Sequence, residues 1–156
     1  MEIHAVVRAL LLVGAASTAP WAVGRVCGDR WAAPLDFGVS LWDGQRLLGR
    51  HKTWRGLASG VAAGAILGWW LGLGPVVGAG IGGAALAGDA LSSAIKRRLD
   101  RRPGTEIWGL DQFPESLLPL LLFREPLGLS LGQAFAVVVV FVVLDLCATP
   151  LRHKPL

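Results

Sequence analysis

Apolar residues in this chain fall into five blocks, at about 3–23, 56–73, 76–95, 113–127 and 131–149, with short polar or basic stretches between them. A helix needs roughly 20 apolar residues to cross the hydrocarbon core of a bilayer. Four of the blocks reach or approach that length. The fourth is short: its continuous apolar run covers 113–123, which leaves it to begin a turn earlier, run on to Leu127 or follow a partly re-entrant path. Gly74-Pro75 divides the second block from the third, and Pro150 closes the fifth. The first block is interrupted by Arg8, yet its apolar stretch continues past that residue, so it reads as a membrane helix rather than a cleaved signal. The pattern predicts an all-α integral membrane protein with five transmembrane helices.

Composition supports this reading. The chain is 53% hydrophobic and only 17% charged over 156 residues, and its mean hydropathy is +0.54. A soluble domain of that length could not hide so much apolar surface, and the length itself predicts a single domain over 1–156. The formal charge is +4, and its placement decides the topology. Thirteen of the fifteen Lys and Arg lie in three stretches: six in 25–55, five in 96–102 and two in the tail after Pro150. Five spans put all three stretches on one side, whereas four would set the tail opposite the second loop. The positive-inside rule makes that side cytoplasmic and leaves the N-terminus outside. The predicted cytoplasmic loops are then about 25–55 and 96–112, in the cell (inner) membrane.

The first loop carries structure of its own. Short apolar runs flank Asp43-Gly44 within 36–48. That pair favours the positive φ of a tight turn, so a small cytoplasmic β-hairpin is expected. Gly56, Gly60, Gly64 and Gly68 recur every four residues, and Gly74, Gly78 and Gly82 continue the spacing. Such faces pack helices closely, or open a crevice for a lipid chain. Cys27 and Cys147 lie in no metal-binding array and should stay reduced. Seven Trp and no Tyr fit interfacial anchoring rather than base stacking, and nucleic acid is not an expected partner.

Three constellations carry possible chemistry. The first is Leu48-Gly49-Arg50-His51-Lys52-Thr53-Trp54-Arg55-Gly56, at the start of the second block. Its cations offer donors to phosphate oxygens, and a helix starting near Thr53 adds free amides. Flanking positive charge with a Trp anchor explains the same residues without a ligand. The second is Asp89, inside an apolar block, with Lys96, Arg97 and Arg98 two turns later. An ionisable residue in a span is a functional candidate by default, and a carboxylate below a basic rim suits Mg²⁺ with phosphates. A helix–helix hydrogen bond is the plainer role. The third is Leu110-Asp111-Gln112-Phe113-Pro114-Glu115, where Asp111 caps a helix or acts with Asp89 at one membrane face. Asp145 reads as an interfacial pairing residue, and Asp36 and Asp43 read as turn residues.

In this order the motifs resemble the CDP-archaeol synthase family, membrane cytidylyltransferases related to the CTP:phosphatidate cytidylyltransferases. The resemblance is carried by Pro34-Leu35-Asp36-Phe37-Gly38, by Leu48-Gly49 with Lys52-Thr53-Trp54-Arg55-Gly56, by Gly88-Asp89 with Ser92 and Lys96-Arg97-Arg98, and by Leu110-Asp111-Gln112. It implies a fold of five transmembrane helices. It also implies that Lys52, Thr53 and Arg55 contact CTP, that Asp89 and Asp111 hold Mg²⁺, and that Lys96, Arg97 and Arg98 bind triphosphate or the lipid phosphate. Lys52, Arg55, Asp89 and Asp111 are then the catalytic set. Two positions depart from the family pattern: Arg50-His51 stands where Asp-Gly is usual, and Pro114 stands where a second acid is frequent, with Glu115 one residue on.

The expected reaction is transfer of CMP from CTP to the phosphate of a membrane lipid glycerophosphate, with release of pyrophosphate. A diacyl phosphatidate acceptor is the near alternative to an ether-linked isoprenoid one. A non-enzymatic transporter or lipid-binding protein is the distant alternative, though the chain lacks the internal repeat common in transporters.

Overall fold

The computed structural model of the chain describes residues 3–99 and 112–152. All five apolar blocks are helical. The helices are α1 (Ile3–Cys27), α2 (Trp54–Trp70), α3 (Pro75–Arg98), α4 (Gln112–Leu122), α5 (Arg124–Leu127) and α6 (Leu131–Arg152). Their ends follow local chemistry. Thr53 caps α2 from an extended backbone, its hydroxyl accepting the Gly56 amide. Gly72 and Gly74 take φ of 76° and 88° to reverse the chain, and Pro75 then starts α3 where its missing N–H costs nothing. Lys96, Arg97 and Arg98 occupy the last turn of α3, facing the negative end of its dipole.

Consecutive long helices run antiparallel, and α3 packs against α1, α2 and α4. The α2–α3 contact is backbone on backbone. A Cβ on Gly64 would overlap the Gly78 carbonyl, and one on Gly78 would overlap the Gly64 carbonyl. A Cβ on Gly82 would lie 2.6 Å from the Gly60 carbonyl oxygen. The four-residue glycine spacing therefore serves close packing on this face. Gly60 sits where α1 also meets this seam: a Cβ there would lie 2.5 Å from Leu86 Cδ1 of α3 and 2.9 Å from the Ala16 carbonyl oxygen of α1. Pro20 lies inside α1 and has no N–H to give that carbonyl, so the α1–α2 contact falls where the helix ladder is interrupted.

The bundle has two unlike ends. Ala5, Ala9, Leu12 and Val13 of α1, Ile81 of α3, Leu120 of α4 and Ala134, Val137, Val138 and Phe141 of α6 form one apolar core. These residues come from the start of α1, the first half of α3, the far half of α4 and the start of α6. The opposite end gathers the C-terminal half of α1, the first loop, the start of α2, the end of α3 and the start of α4. Most of the charged side chains that line a cavity are collected there.

Two expectations need correction. Five full-length spans are not seen. α4 has 11 residues, or about 16 Å of helix, against a hydrocarbon thickness of roughly 30 Å. It stops at Phe123, whose ring fills the space left by Gly80 of α3, and the charged pair Arg124-Glu125 follows in the short α5. Among the described residues, α1 and α3 are the two helices long and apolar enough to cross a membrane. α2 is apolar but only 17 residues long, and the apolar part of α6 covers Leu131–Cys147.

The β-hairpin expected at 36–48 is also not formed, and the described residues contain no strand. Its turn exists: Gly44 has φ 75°, the Gln45 amide donates to Asp43 Oδ1 at 3.0 Å, and Ser40 and Arg46 make a single antiparallel bridge. The ladder goes no further because side chains take its polar groups. The Asp36 carboxylate accepts the amides of Gly38, Leu48 and Gly49 at 3.0, 3.2 and 3.2 Å. Arg98 of α3 donates to the Arg46 carbonyl at 2.9 Å. The loop is thus held by hydrogen bonds to Asp36 and Arg98 rather than by strand pairing.

Candidate active site

A cavity of about 680 Å³ opens at the charged end of the bundle. Its walls come from five helices and the first loop. α1 gives Ser17, Trp21 and Arg25; the loop and the start of α2 give residues 48–53, Arg55 and Gly56; α3 gives Asp89, Ser93, Lys96 and Arg97; α4 gives Gln112 and Glu115; α6 gives Asp145.

Lys52 and Asp89 meet inside it. Lys52 Nζ lies 2.5 Å from Asp89 Oδ2, and both side chains are about three-quarters buried. Asp89 is presented from the interior of α3, where Ser92 and Ser93 hydroxyls donate to its own carbonyl at 2.8 and 3.0 Å. Its neighbour Gly88 sets the opposite wall. A Cβ there would overlap the Pro114 carbonyl, so the start of α4 lies directly on α3 and brings Gln112 and Glu115 to the cavity. Gln112 Nε2 donates to Asp145 Oδ2 of α6 at 3.2 Å.

The remaining cations are placed differently from one another. Lys96 and Arg97 line the cavity with only 9% and 6% of their surface exposed. Arg97 reaches toward the first loop, its Nε standing 3.9 Å from where a Cβ of Gly49 would lie. Arg55 lines the cavity while its Nη1 donates to the carbonyls of Gly28 and Arg30 at 2.8 and 2.5 Å, tying α2 to the end of α1. Thr53 lines the cavity and caps α2. Arg98 lies outside the lining. It forms an ion pair with Asp43 at 2.6 Å and holds the Arg46 carbonyl, so its contacts are with the loop. Asp111 falls outside the described residues.

Asp36 is the anchor of that loop. Its side chain is fully buried and pairs with Arg46 Nη2 at 2.9 Å. Burial opposes its charge, but the amides of Gly38, Gly49 and Leu48 and the Arg46 guanidinium outweigh it and hold the carboxyl below its usual 3.8. The two amides bonded to Oδ2 are those of Leu48 and Gly49, which begin the Leu48–Arg55 segment at the cavity wall.

Ser17, Trp21, Arg25 and Asp145 were not among the sequence candidates for this site, whereas Glu115 belonged to the third constellation and does line the cavity. For Asp145 a signal existed, since it is a carboxylate in an otherwise apolar block. For the α1 residues the sequence carried none: their role as a wall follows from how α1 packs.

The arrangement offers buried cations, backbone amides at a helix start and carboxylates within one cavity, which suits a polyphosphate with a divalent cation. Comparison with known proteins points the same way. The family profile described as CarS-like, CDP-archaeol synthase, matches residues 5–73. The CDP-archaeol synthase of Pyrobaculum aerophilum is 33% identical over 133 residues, covering 80% of this chain and 74% of its own. That of Pyrococcus furiosus is 36% identical over 131 residues, covering 77% of this chain and 73% of its own. That of Methanopyrus kandleri is 46% identical over 98 residues, covering 58% and 56%. A solved structure of an intramembrane enzyme for archaeal membrane lipid biosynthesis superposes with a TM-score of 0.76 at 34% identity, covering 92% of this chain and 94% of that one.

Proposed function

This chain belongs to the CDP-archaeol synthase family, and we propose that it transfers CMP from CTP to the phosphate of a membrane lipid glycerophosphate, releasing pyrophosphate. The observation that carries the reading is the shared cavity in which Lys52 meets Asp89 beside the buried Lys96 and Arg97. The chain is an integral membrane protein. Its cavity end faces the cytoplasm in this reading, because the basic stretches flank that end.

The chemistry asks little of the protein beyond position and charge. An oxygen of the acceptor phosphate, already anionic at neutral pH, attacks the α-phosphorus of CTP. The bond from that phosphorus to pyrophosphate breaks, and no protein base is needed. Lys52, Arg55, Lys96 and Arg97 neutralise the nucleotide phosphates and hold the two anions close enough to react. Thr53 fixes the first turn of α2, whose amides add to the same field. Arg98 acts on the loop rather than on phosphate.

The donor set fits Mg²⁺. Asp89, Glu115 and Asp145 present hard carboxylate oxygens to the cavity. Among the described residues no three His, Cys, Asp or Glu are grouped to hold a metal alone. Mg²⁺ is commonly held by one or two carboxylates together with substrate phosphates and water. Asp89 and Asp111 would hold it, and when bound it supplies charge neutralisation at the α-phosphoryl group and the departing pyrophosphate.

The test is an assay of radiolabelled CTP, with and without Mg²⁺, against a panel of ether-linked isoprenoid and diacyl glycerophosphates. Mg²⁺-dependent label in lipid is expected, with the ether acceptor preferred. A folded, purified sample that neither binds CTP nor labels any lipid would overturn the reading.

A further inference from the structure

The two substrates of such a reaction arrive from different phases. CTP comes from water, whereas the acceptor is an amphiphile whose tails stay in the bilayer. The cavity needs one side suited to each, and α1 joins an exposed apolar face to a cation at the cavity wall. Ile3, Val7 and Leu11 are large apolar residues exposed on its outer face. A helix of 3.6 residues per turn returns to the same bearing after five turns, or 18 residues. Trp21 stands 18 residues after Ile3, and Arg25 stands 18 after Val7. The exposed apolar stripe of α1 therefore runs directly into Trp21 and Arg25, and both of these line the cavity.

The pair is organised. The Arg25 guanidinium carbon lies 4.7 Å from the centroid of the Trp21 ring, a cation–π stack. A guanidinium held by its face keeps its in-plane N–H edges available, and those edges match phosphate oxygens bidentately. The indole has one apolar body and one polar edge, which suits the boundary between acyl chains and headgroups. The other cavity cations discussed above stand on α2, α3 or the loop. Among the described residues, Arg25 is the cation of α1 that faces the cavity.

We infer that Trp21 and Arg25 form the subsite for the acceptor's phosphate monoester, at the side where the cavity meets the lipid-facing surface of α1. This assignment rests on the cytidylyl transfer proposed above and divides its site in two. Lys52, Lys96 and Arg97 serve the nucleotide, and Arg25 serves the lipid phosphate.

The experiment is a two-substrate kinetic analysis of the full chain in nanodiscs, using radiolabelled CTP and an ether-linked isoprenoid glycerophosphate, with equilibrium CTP binding measured separately. Arg25→Ala should raise KM for the lipid about tenfold or more and leave KM and binding for CTP unchanged. Arg25→Lys should recover part of the loss, and Trp21→Ala should shift the lipid KM in the same direction by less. A rise in KM for CTP instead would assign the pair to the nucleotide, with Trp21 stacking on the base, and would overturn the inference. So would unchanged constants for both substrates. Inhibition by inorganic phosphate that Arg25→Ala relieves, with the lipid KM unmoved, would make the subsite one for soluble phosphate and also overturn it. Absence of transfer by the wild-type chain overturns the reaction itself. The subsite is then judged by retention of the lipid phosphate on purified protein, which Arg25→Ala must lower for it to stand.

Discussion

Lys52 Nζ contacts Asp89 Oδ2 at 2.5 Å, so the first loop is pinned to the interior of α3 across the cavity they share. The pair joins two of the sequence motifs that carry the family resemblance. It also makes Asp89 a group with two duties, since its carboxylate holds Lys52 and is the candidate cation ligand.

Asp89→Asn should therefore cut cytidylyl transfer by on the order of 10²-fold or more, as removal of a charge-stabilising group at a reacting centre does. Asp111→Asn should do the same. Both variants should still insert and elute as folded protein. Incorporation of CTP label into lipid checks this, and near-normal incorporation by both would sink the metal assignment.

Arg98 and Asp43 are each roughly a third exposed, and such a pair contributes up to about 1 kcal/mol. Arg98→Ala should loosen the turn around Asp43 and Arg46 while Lys52 still holds the end of the loop to α3, with new trypsin cleavage at Arg46, and should slow turnover only several-fold. Arg97→Ala, removing a cavity cation, should weaken CTP binding far more. If Arg98→Ala weakens CTP binding as steeply as Arg97→Ala, Arg98 belongs with the phosphate-binding set.

The pH dependence of the loop follows from Asp36. Its folded value lies below 3.8, so the stability it adds is present above the unfolded value and is lost as pH falls through the folded one. Proteolysis of the loop by an acid-stable protease should accelerate below pH 3.8 and be steady above it. Asp36→Asn should show fast cleavage at neutral pH too, because an amide cannot accept every hydrogen bond that the carboxylate does. Equal protection of wild type and variant at neutral pH would refute the anchor role.

Gly64→Ala and Gly78→Ala each place a methyl group inside the other helix's carbonyl. Each should destabilise the detergent-solubilised protein by about 1–3 kcal/mol, read as a lowered Tm. Gly14→Ala, where nothing lies within 4 Å of the new methyl, is the control and should leave Tm unchanged or slightly raised.

Much of this was legible in the sequence because membrane helices announce themselves as apolar runs. The helix boundaries at Thr53 and Gly74-Pro75 could be anticipated from capping and turn chemistry. The pairing of Asp89 with Lys52 was not legible: the sequence set Asp89 below the basic residues of its own helix, Lys96, Arg97 and Arg98, and only the packing of the first loop brings Lys52 to it. The hairpin was misread because a turn signal does not reveal what will take the flanking amides, and Asp36, read from the sequence as a turn residue, takes three. The short α4 was visible as a length deficit, but the packing of Phe123 on Gly80 that ends it is a tertiary fact. Arg98 was grouped with Lys96 and Arg97 by adjacency, although neighbours on a helix point about 100° apart.

The glycine seam between α2 and α3 has a mechanical consequence. Where backbones touch, there are no rotamers to rearrange, so the seam can neither breathe nor admit an alkyl chain without coming apart. Alkyl tails that enter and leave with every turnover therefore need a doorway elsewhere.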